Sequence, residues 1–199
     1  MSDAQTLKAY AEVAGRYAAG FARTKNTDQE ADYAAFTALL PPDARVLDLG
    51  CGPGHWTARM RGDGYQAEGM DASPEMAAQA AESYGLEVKV QEFAALNATA
   101  AFDGIWANFS LLHAPKREFT AHLQRIHRAL RPKGALSLGM KLGDGEARDS
   151  LGRFYTYYSE NALLALLEAA GFSVVKTRCG NGKGLAGQDE TFVVVTAHA

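Results

Sequence analysis

A short apolar strand that runs directly into three alternating glycines constrains the fold of this chain more than any other feature. Residues 46–54 have the sequence VLDLGCGPG, with glycine at positions 50, 52 and 54. In a doubly wound α/β sheet, such a turn lets backbone amides and the N-terminus of the next helix approach a ligand closely. The segment therefore predicts a first parallel strand, a ligand-binding turn and a helix that begins at about His55.

The chain after this turn alternates short apolar strands with helical stretches. We predict strands over residues 45–49, 65–70, 87–91, 102–108 and 135–141, and helices over 55–61, after Ser73-Pro74 and over 116–130. Such alternation predicts a mostly parallel sheet with helices on both faces. A helix over 159–170 follows, and then two strands over 172–178 and 191–197 with a glycine-rich loop at 180–187. The last two strands predict an antiparallel hairpin at the edge of a seven-stranded, Rossmann-like, doubly wound α/β fold.

Two helices precede the sheet. Apolar residues recur at three- and four-residue steps over 4–22 and 28–40, and Pro41-Pro42 ends the second helix. We interpret residues 1–40 as a helical lid and residues 41–199 as the Rossmann-like core. The length of 199 residues is short for two independent cores, so we expect a single domain.

Composition and charge narrow the class of partner. A net charge of -3 and a pI near 6.0 disfavour nucleic acid as a partner. The sequence contains neither a run long enough for a membrane span nor a signal-peptide pattern at its start. Cys51 and Cys179 have no Cys or His beside them at metal-ligand spacing. We therefore expect a cytoplasmic monomer or homodimer that acts on a small molecule, without a metal or a membrane.

Two acidic residues follow the first two strands. Asp48 ends the first strand, where it can receive a ligand's ammonium group directly or through water. Asp71 stands about twenty residues after the turn, the distance at which an acid meets ribose hydroxyls. NAD fits less well, because His55 occupies a position where the dinucleotide fingerprint needs glycine. The alternative for both acids is a helix cap or a turn residue.

The segment VLDLGCGPG, followed by GMDAS at residues 69–73, resembles motifs I and II of class I S-adenosylmethionine (SAM) dependent methyltransferases. The resemblance implies SAM as cofactor and S-adenosylhomocysteine as product. It places Asp71 on both ribose hydroxyls and Ala72 and Met76 on the adenine. The third motif usually has an aspartate before a small or apolar residue, and here Glu92 and Phe93 stand in its place. The remaining cofactor residues implied are the motif I residues Asp48, Gly50, Cys51, Gly52 and Gly54, and Asn108 near the methyl group.

Methyl transfer from a sulfonium is an in-line displacement, so the protein mainly aligns donor and acceptor and excludes water. A general base is needed when the acceptor is protonated, and the candidates are His113 and Tyr17. The alternative for His113 is a histidine that braces the loop after the fourth strand.

A polar stretch with aromatic residues covers residues 141–155 and predicts a substrate-facing loop. Our hypothesis is that Lys141 and Arg153 recognise an anionic group on the acceptor, while Tyr17 and Tyr155 form the lid. The alternative is a solvated loop in which Asp149 and Arg153 form a local ion pair. The stretch is similar to that of small free-standing bacterial methyltransferases with tellurite-resistance-like or ubiquinone-pathway-like labels.

The resemblance implies methyl transfer from SAM to a small-molecule acceptor. Two alternatives remain open at the level of sequence. One is aminopropyl transfer from a SAM derivative, and the other is a non-catalytic regulator that binds SAM. Fold alone does not separate them.

Overall fold

Helices and strands alternate along the chain in the predicted order up to the fifth strand. The structure is a computed structural model that describes residues 3–21 and 27–199, with side chains described for residues 3–12 and 29–199. The described helices are α1 (Ala4–Phe21), α2 (Thr27–Thr37), α3 (His55–Gly62), α4 (Pro74–Tyr84), α5 (Lys116–Ala129) and α6 (Glu160–Ala169). The strands are β1 (Arg45–Leu49), β2 (Gln66–Asp71), β3 (Val88–Val90), β4 (Phe102–Asn108), β5 (Leu130–Lys141), β6 (Glu146–Arg148), β7 (Phe154–Thr156), β8 (Ser173–Lys183) and β9 (Asp189–His198).

Seven strands form one sheet in the order β3-β2-β1-β4-β5-β9-β8. The pairs among β1 to β5 are parallel, whereas β9 pairs antiparallel with both β5 and β8. The predicted Rossmann-like fold with its C-terminal hairpin is therefore confirmed. The chain reverses its direction of winding between β1 and β4, and ligands of such sheets bind outside the carboxyl ends of the strands at that reversal.

Helices cover both faces of the sheet. On one face, α5 buries Phe119, Leu123 and Ile126, which recur at helical spacing and are at most 1% exposed. On the other face, α2 and α3 pack with Trp106 of β4 in a second cluster. Phe36 of α2 is fully buried there, because Gly104 of β4 leaves space for its ring. Tyr33 and Phe36 of α2 thus belong to the core, and the lid interpretation of residues 1–40 stays a prediction.

The C-terminal hairpin is longer than predicted. The pairing of β8 with β9 continues to Lys183 opposite Asp189, so the predicted loop at 180–187 is wrong for residues 180–183. The reason is steric. A side chain at Gly180 would come within 2.6 Å of the Phe192 ring, so glycine here admits a cross-strand aromatic residue instead of forming a turn.

The polar stretch at 141–155 is not one loop, since β6 and β7 pair antiparallel within it. Asp149 and Arg153 close the turn between these strands. The Asp149 amide donates to the Arg153 carbonyl, the Arg153 amide donates to the Asp149 carboxylate, and the side chains make an ion pair of 2.6 Å. Their side chains are 4% and 3% exposed. The predicted local ion pair is therefore present, but the expectation that it is solvated is wrong.

The first turn of α1 is fastened to this small sheet. Asp3 accepts two hydrogen bonds from Arg148, of 2.7 and 2.8 Å, and the Thr6 hydroxyl accepts one from the Phe154 amide. The Arg148 guanidinium holds the pKa of the Asp3 carboxyl well below its usual range. Among the described helices, none combines the length and the apolar character that a bilayer crossing requires.

Candidate active site

A cavity of about 360 Å³ opens at the carboxyl ends of β1, β2 and β4, where the winding reverses. Its volume lies in the range of roughly 300–1,000 Å³ that small-molecule sites occupy. Most of the residues that the sequence nominates meet in its wall, although they come from eight separate segments. These residues are Asp48, Gly50, Cys51, Gly52, Asp71, Ala72, Met76, Glu92, Phe93, Asn108, His113, Lys141, Arg153 and Tyr155.

Tyr17 and Gly54 are the two remaining nominated residues. The Tyr17 side chain lies outside the part of the chain whose side chains the structure describes. Gly54 begins α3 but does not contribute to the cavity. A side chain at Gly54 would come within 2.7 Å of Leu86 and 3.0 Å of Ala80. Glycine at position 54 thus lets α3 pack closely against α4, and its cofactor contact stays a prediction.

Gly52 is the glycine that keeps space open for a ligand. Its φ is +54°, and a Cβ there would meet no heavy atom of the described residues within 4 Å. Gly50 has a different constraint, because its Cβ would stand 2.3 Å from the Cβ of Ser110. The Ser110 hydroxyl donates a 2.6 Å hydrogen bond to the carbonyl of Leu49 and so holds the end of β1 against the loop after β4.

Asp71 organises the glycine turn. One carboxylate oxygen accepts the Gly52 amide at 2.8 Å, and the other accepts the Ser73 amide at 2.9 Å. Burial raises the pKa of this carboxyl, and these amide bonds oppose the rise. A carboxylate oxygen carries two lone pairs, so both oxygens can also accept hydroxyl groups of a ligand.

Asp48 is a buried carboxyl at the end of β1. Its side chain accepts a 2.6 Å hydrogen bond from the Thr57 hydroxyl of α3. Burial raises the pKa of Asp48 to about 7, the nearby charge of Asp71 adds to the rise, and the Thr57 bond opposes it. A cationic group placed beside Asp48 would favour its charged form.

Apolar side chains line the cavity beyond Asp71. Met76, in the first turn of α4, is 3% exposed, and its amide is capped by the Ser73 hydroxyl at 3.2 Å. Phe93 follows β3 and packs edge-on against His122 of α5 at 5.8 Å between ring centroids. Ala72 and Glu92 complete this end, which can hold a planar base between apolar surfaces.

His113 is held by both of its ring nitrogens. Nδ1 lies 2.6 Å from the Phe154 carbonyl, and Nε2 lies 2.8 Å from the Tyr10 hydroxyl. Because a carbonyl can only accept, Nδ1 carries the proton and Nε2 accepts from Tyr10. Burial lowers the pKa of His113 to about 4, and the cations of Arg153 and Lys141 contribute. This geometry favours the bracing alternative, and a catalytic role for His113 stays a prediction.

The two cations nominated for substrate binding are already paired. Lys141 Nζ lies 2.5 Å from a Glu190 oxygen and 3.5 Å from the centroid of the Tyr155 ring. Arg153 pairs with Asp149 and also donates to the Tyr10 hydroxyl at 3.2 Å. An anionic acceptor would have to compete with a carboxylate that already pairs with each cation. Both side chains therefore line the cavity as expected, with their charges neutralised.

Two residues of this wall escaped sequence reasoning. Tyr10 has the helical spacing of an ordinary packing residue, and Glu190 follows a glycine-rich stretch. No local pattern marks either residue, since their partners lie 103 and 49 positions away in the chain. Within the described ranges, no group of three or more His, Cys, Asp or Glu side chains is placed to hold a metal ion.

The strand order, the glycine turn tied to Asp71 and the buried Asp48 define the fold and site of a class I SAM-dependent methyltransferase. Residues 46–134 match the family model of the methyltransferase domain. The structure is similar to that of the Burkholderia thailandensis 1,6-didemethyltoxoflavin-N1-methyltransferase, which was solved with 1,6-didemethyltoxoflavin and S-adenosylhomocysteine bound. The TM-score is 0.79 at 27% identity, over 98% of this chain and 87% of the other.

Curated relatives are similar to this chain over somewhat more than half of its length. A malonyl-[acyl-carrier protein] O-methyltransferase of Enterobacter lignolyticus is 35% identical over 107 residues, which are 52% of this chain and 42% of the relative. A trans-aconitate 2-methyltransferase of Methylobacterium nodulans is 35% identical over 119 residues, 58% of this chain and 45% of the relative. The matched regions thus span less than half the length of these two relatives.

Proposed function

We propose that this chain transfers a methyl group from SAM to a small-molecule acceptor and releases S-adenosylhomocysteine. The observation that carries the proposal is the open space at Gly52, which lies in one cavity with the carboxylates of Asp48 and Asp71. When bound, SAM supplies an electrophilic methyl group on a positively charged sulfur. The protein then needs only to align the methyl donor with the acceptor and to exclude water.

The donor's adenosine fits the end of the cavity near β2 and β3. Asp71 has the lone pairs to accept both ribose hydroxyls while it keeps its amide bonds to the turn. Met76 and Phe93 offer apolar surface to the adenine ring, and Glu92 lies in reach of its amino group on the same wall. Asp48 provides the counter-charge for the ammonium of the amino-acid portion.

The acceptor fits the end of the cavity formed by α1, the loop after β4, β5 and the β6–β7 sheet. Aromatic and paired side chains dominate this acceptor chamber, which we define by Tyr10, His113, Lys141, Tyr155 and Glu190. Asn108 ends β4 at its entrance, where Gly139 of β5 makes room for the amide side chain. The internal pairing of the cations favours an acceptor without a fixed negative charge, and so disfavours our anion hypothesis for Lys141 and Arg153.

His113 supports the acceptor chamber through Tyr10. Its Nε2 holds the Tyr10 hydroxyl, so a direct role as general base would require Tyr10 to give up that bond to the acceptor. Tyr10 fastens α1 over the chamber, as a lid residue would. Tyr17, further along the same helix, remains our second candidate for the lid and for the base.

Calorimetry and mass spectrometry test the proposal. We expect the full chain to bind SAM and S-adenosylhomocysteine, and to methylate members of a small-molecule library with mass gains of one methyl group. Absence of binding to either nucleoside would overturn the proposal. Binding without any turnover would favour the regulator alternative. Turnover with decarboxylated SAM instead of SAM would favour aminopropyl transfer.

We further infer a bacterial, cytoplasmic protein that acts as a monomer or homodimer. The near-neutral charge balance and the bacterial relatives support this inference. Light scattering coupled to size-exclusion chromatography measures the oligomeric state, and a mass above that of two chains would contradict it.

A further inference from the structure

Three buried nitrogen atoms of cavity-lining residues have no hydrogen-bond partner among the described residues. One is Nδ1 of His122, whose ring packs against Phe93. The other two are Nε1 of Trp106, whose side chain is fully buried, and Nδ1 of His55. Buried polar atoms in native proteins are nearly always hydrogen-bonded, so such a pair at a cavity wall indicates a contact with a ligand.

Both nitrogens belong to the Asp48 end of the cavity. Asp48 and Trp106 are in-register partners on β1 and β4, so their side chains emerge on the same side of the sheet. The rings of His55, Trp56 and Trp106 form a continuous row, with centroids 5.6 Å and then 5.2 Å apart. Thr57 of the same helix reaches Asp48. One carboxylate and two nitrogens therefore share the junction of β1, β4 and α3.

The chemistry of these groups favours an anionic partner for the nitrogens. An indole nitrogen can only donate, so Trp106 needs an acceptor. Burial lowers the pKa of His55 to about 4, which leaves a neutral imidazole with one N–H to donate. His55 is the first residue of α3, whose first turn contains no acidic side chain and whose N-cap, Gly54, has no side chain to cap it. The positive end of the helix adds to the attraction.

We propose that Trp106 Nε1–H and the His55 imidazole bind the carboxylate of the donor's amino-acid portion, while Asp48 binds its ammonium. This end of the cavity then recognises an α-amino acid as a zwitterion, by one acid and two neutral donors instead of an arginine. The inference rests on the proposed function, since it assigns residues to the donor of that reaction. Trp106 is then a binding residue as well as part of the core.

Calorimetry with two nucleosides tests the inference. S-Adenosylhomocysteine carries the amino-acid portion, whereas 5′-methylthioadenosine keeps the adenosine and sulfur without it. Trp106→Phe removes the N–H and keeps an aromatic ring in the cluster. We expect it to weaken binding of S-adenosylhomocysteine about tenfold, as loss of one hydrogen bond to a charged group would. Binding of 5′-methylthioadenosine should stay within about twofold.

Two further variants separate this loss from damage to the ring row. Trp56→Phe removes the neighbouring indole N–H, which our inference does not use, and should leave the ratio of the two affinities unchanged. His55→Ala lies at the start of α3 and should weaken S-adenosylhomocysteine selectively, as Trp106→Phe does. Equal weakening of both nucleosides by Trp106→Phe and by His55→Ala would overturn the inference.

A nuclear magnetic resonance measurement gives a readout that does not depend on a substitution in the core. The chain contains two tryptophans, so the indole region shows two signals that Trp56→Phe assigns. We expect the Trp106 indole proton to move downfield with S-adenosylhomocysteine and to stay in place with 5′-methylthioadenosine. Binding of the former without that shift would overturn the inference. Failure of the wild-type chain to bind either nucleoside would instead contradict the proposed function.

Discussion

At the scale of single residues, the burial of Asp48 links ligand binding to proton balance. The carboxyl is buried and accepts a hydrogen bond from the Thr57 hydroxyl. Its pKa of about 7 leaves it partly protonated near neutral pH. An ammonium group beside it favours the charged form and drives the proton off. Donor binding by this site is therefore coupled to proton release.

We expect S-adenosylhomocysteine to release up to about one proton per site at pH 6.5. The ammonium lowers the pKa of Asp48 from about 7, so a group that is largely protonated in the free protein ionises in the complex. Calorimetry in two buffers with different ionisation enthalpies measures the released protons. Asp48→Asn, which cannot titrate, should abolish the difference between buffers. Equal heats in both buffers for the wild type would contradict this coupling.

The same carboxyl makes stability depend on pH. Its pKa is higher in the folded chain than the 3.8 of an exposed Asp, so the folded state binds more protons between pH 4 and 7. The free energy of unfolding then falls as pH rises through that window, by up to about 1.4 kcal/mol per pH unit. We expect Asp48→Asn to remove this slope in urea titrations of the ligand-free chain. A slope unchanged by the substitution would place its origin elsewhere.

The three glycines of the turn have different physical roles, and paired substitutions distinguish them. Gly54→Ala introduces a contact of 2.7 Å with Leu86, so we expect a loss of roughly 1–3 kcal/mol in unfolding free energy from overpacking and left-handed strain. The folded fraction of this variant should bind S-adenosylhomocysteine normally. Gly52→Ala meets only strain in the ligand-free chain, and its methyl group enters the ligand's space.

We expect Gly52→Ala to weaken binding of S-adenosylhomocysteine at least tenfold, with a smaller loss of stability than Gly54→Ala. Thermal melts and calorimetry on both variants check the contrast. The reverse order of the two effects would show that the space at Gly52 does not serve the ligand.

At the scale of secondary-structure elements, sequence periodicity predicted the strands well and the polar segments poorly. Strands such as β1 and β4 are buried on both faces and are mostly apolar, so a local signal marks them. The β6–β7 sheet has no apolar pattern of this kind. It is held together by the Asp149–Arg153 turn and by contacts with α1, which the local sequence does not reveal. The extension of β8 was not predicted for a similar reason. Gly180 makes room for the ring of Phe192, which lies on the neighbouring strand β9 and not nearby in the sequence.

The same contrast holds within the candidate site, where some residues could be predicted from local sequence and others could not. The donor residues follow motif spacing and could be nominated from the sequence, and the structure brings all but Gly54 to one cavity. The charge and the hydrogen bonding of the residues in the acceptor chamber depend on partners that are distant in the chain. Nothing near Lys141 in the sequence indicates that Glu190 neutralises it, and nothing near His113 indicates Tyr10.

The attachment of α1 to β6 is an element-scale contact with a measurable effect. Arg148 joins the two through Asp3, which also accepts the Thr6 amide at the start of α1. We expect Arg148→Met to speed amide hydrogen exchange in residues 4–12 roughly threefold, because exposed ion pairs are weak. Binding of S-adenosylhomocysteine should not change. Arg59→Met, which removes an exposed pair on α3, is the matched control and should leave exchange in α1 unaffected.

At the scale of the whole molecule, the parallel half of the sheet carries the residues proposed to bind the donor, and the antiparallel strand β9 contributes a residue of the acceptor chamber. The parallel strands carry Asp48 and Asp71 at their carboxyl ends, whereas the antiparallel strand β9 brings Glu190 back to Lys141 at the end of β5. Because β9 runs antiparallel to β5, its first residues lie beside the end of β5 and place the Glu190 carboxylate in the acceptor chamber. We infer that Glu190 determines the net charge that the chamber presents to an acceptor.

Removing the negative charge tests this inference. In Glu190→Gln, Lys141 loses its ionic partner while it remains over the Tyr155 ring. Burial already lowers the pKa of Lys141, so the measurement is repeated over a series of decreasing pH values, which favour the charged amine. We expect the complex of this variant with S-adenosylhomocysteine to bind benzoate about tenfold more tightly than the wild-type complex does, as one charge-assisted contact would provide. Affinity for benzamide, which is planar and uncharged, should stay the same.

Saturation-transfer nuclear magnetic resonance measures both weak ligands on the same samples. Asp144→Asn is the matched control, because it removes one negative charge from a fully exposed position outside the chamber. An equal gain for benzoate in Asp144→Asn would assign the effect to net charge instead of to the pairing of Lys141. Tight binding of benzoate by the wild-type chain itself would restore the anion hypothesis, because Lys141 would then be available to the acceptor despite Glu190. A gain confined to Glu190→Gln would show that Glu190 of β9 controls whether the acceptor chamber binds an anionic ligand.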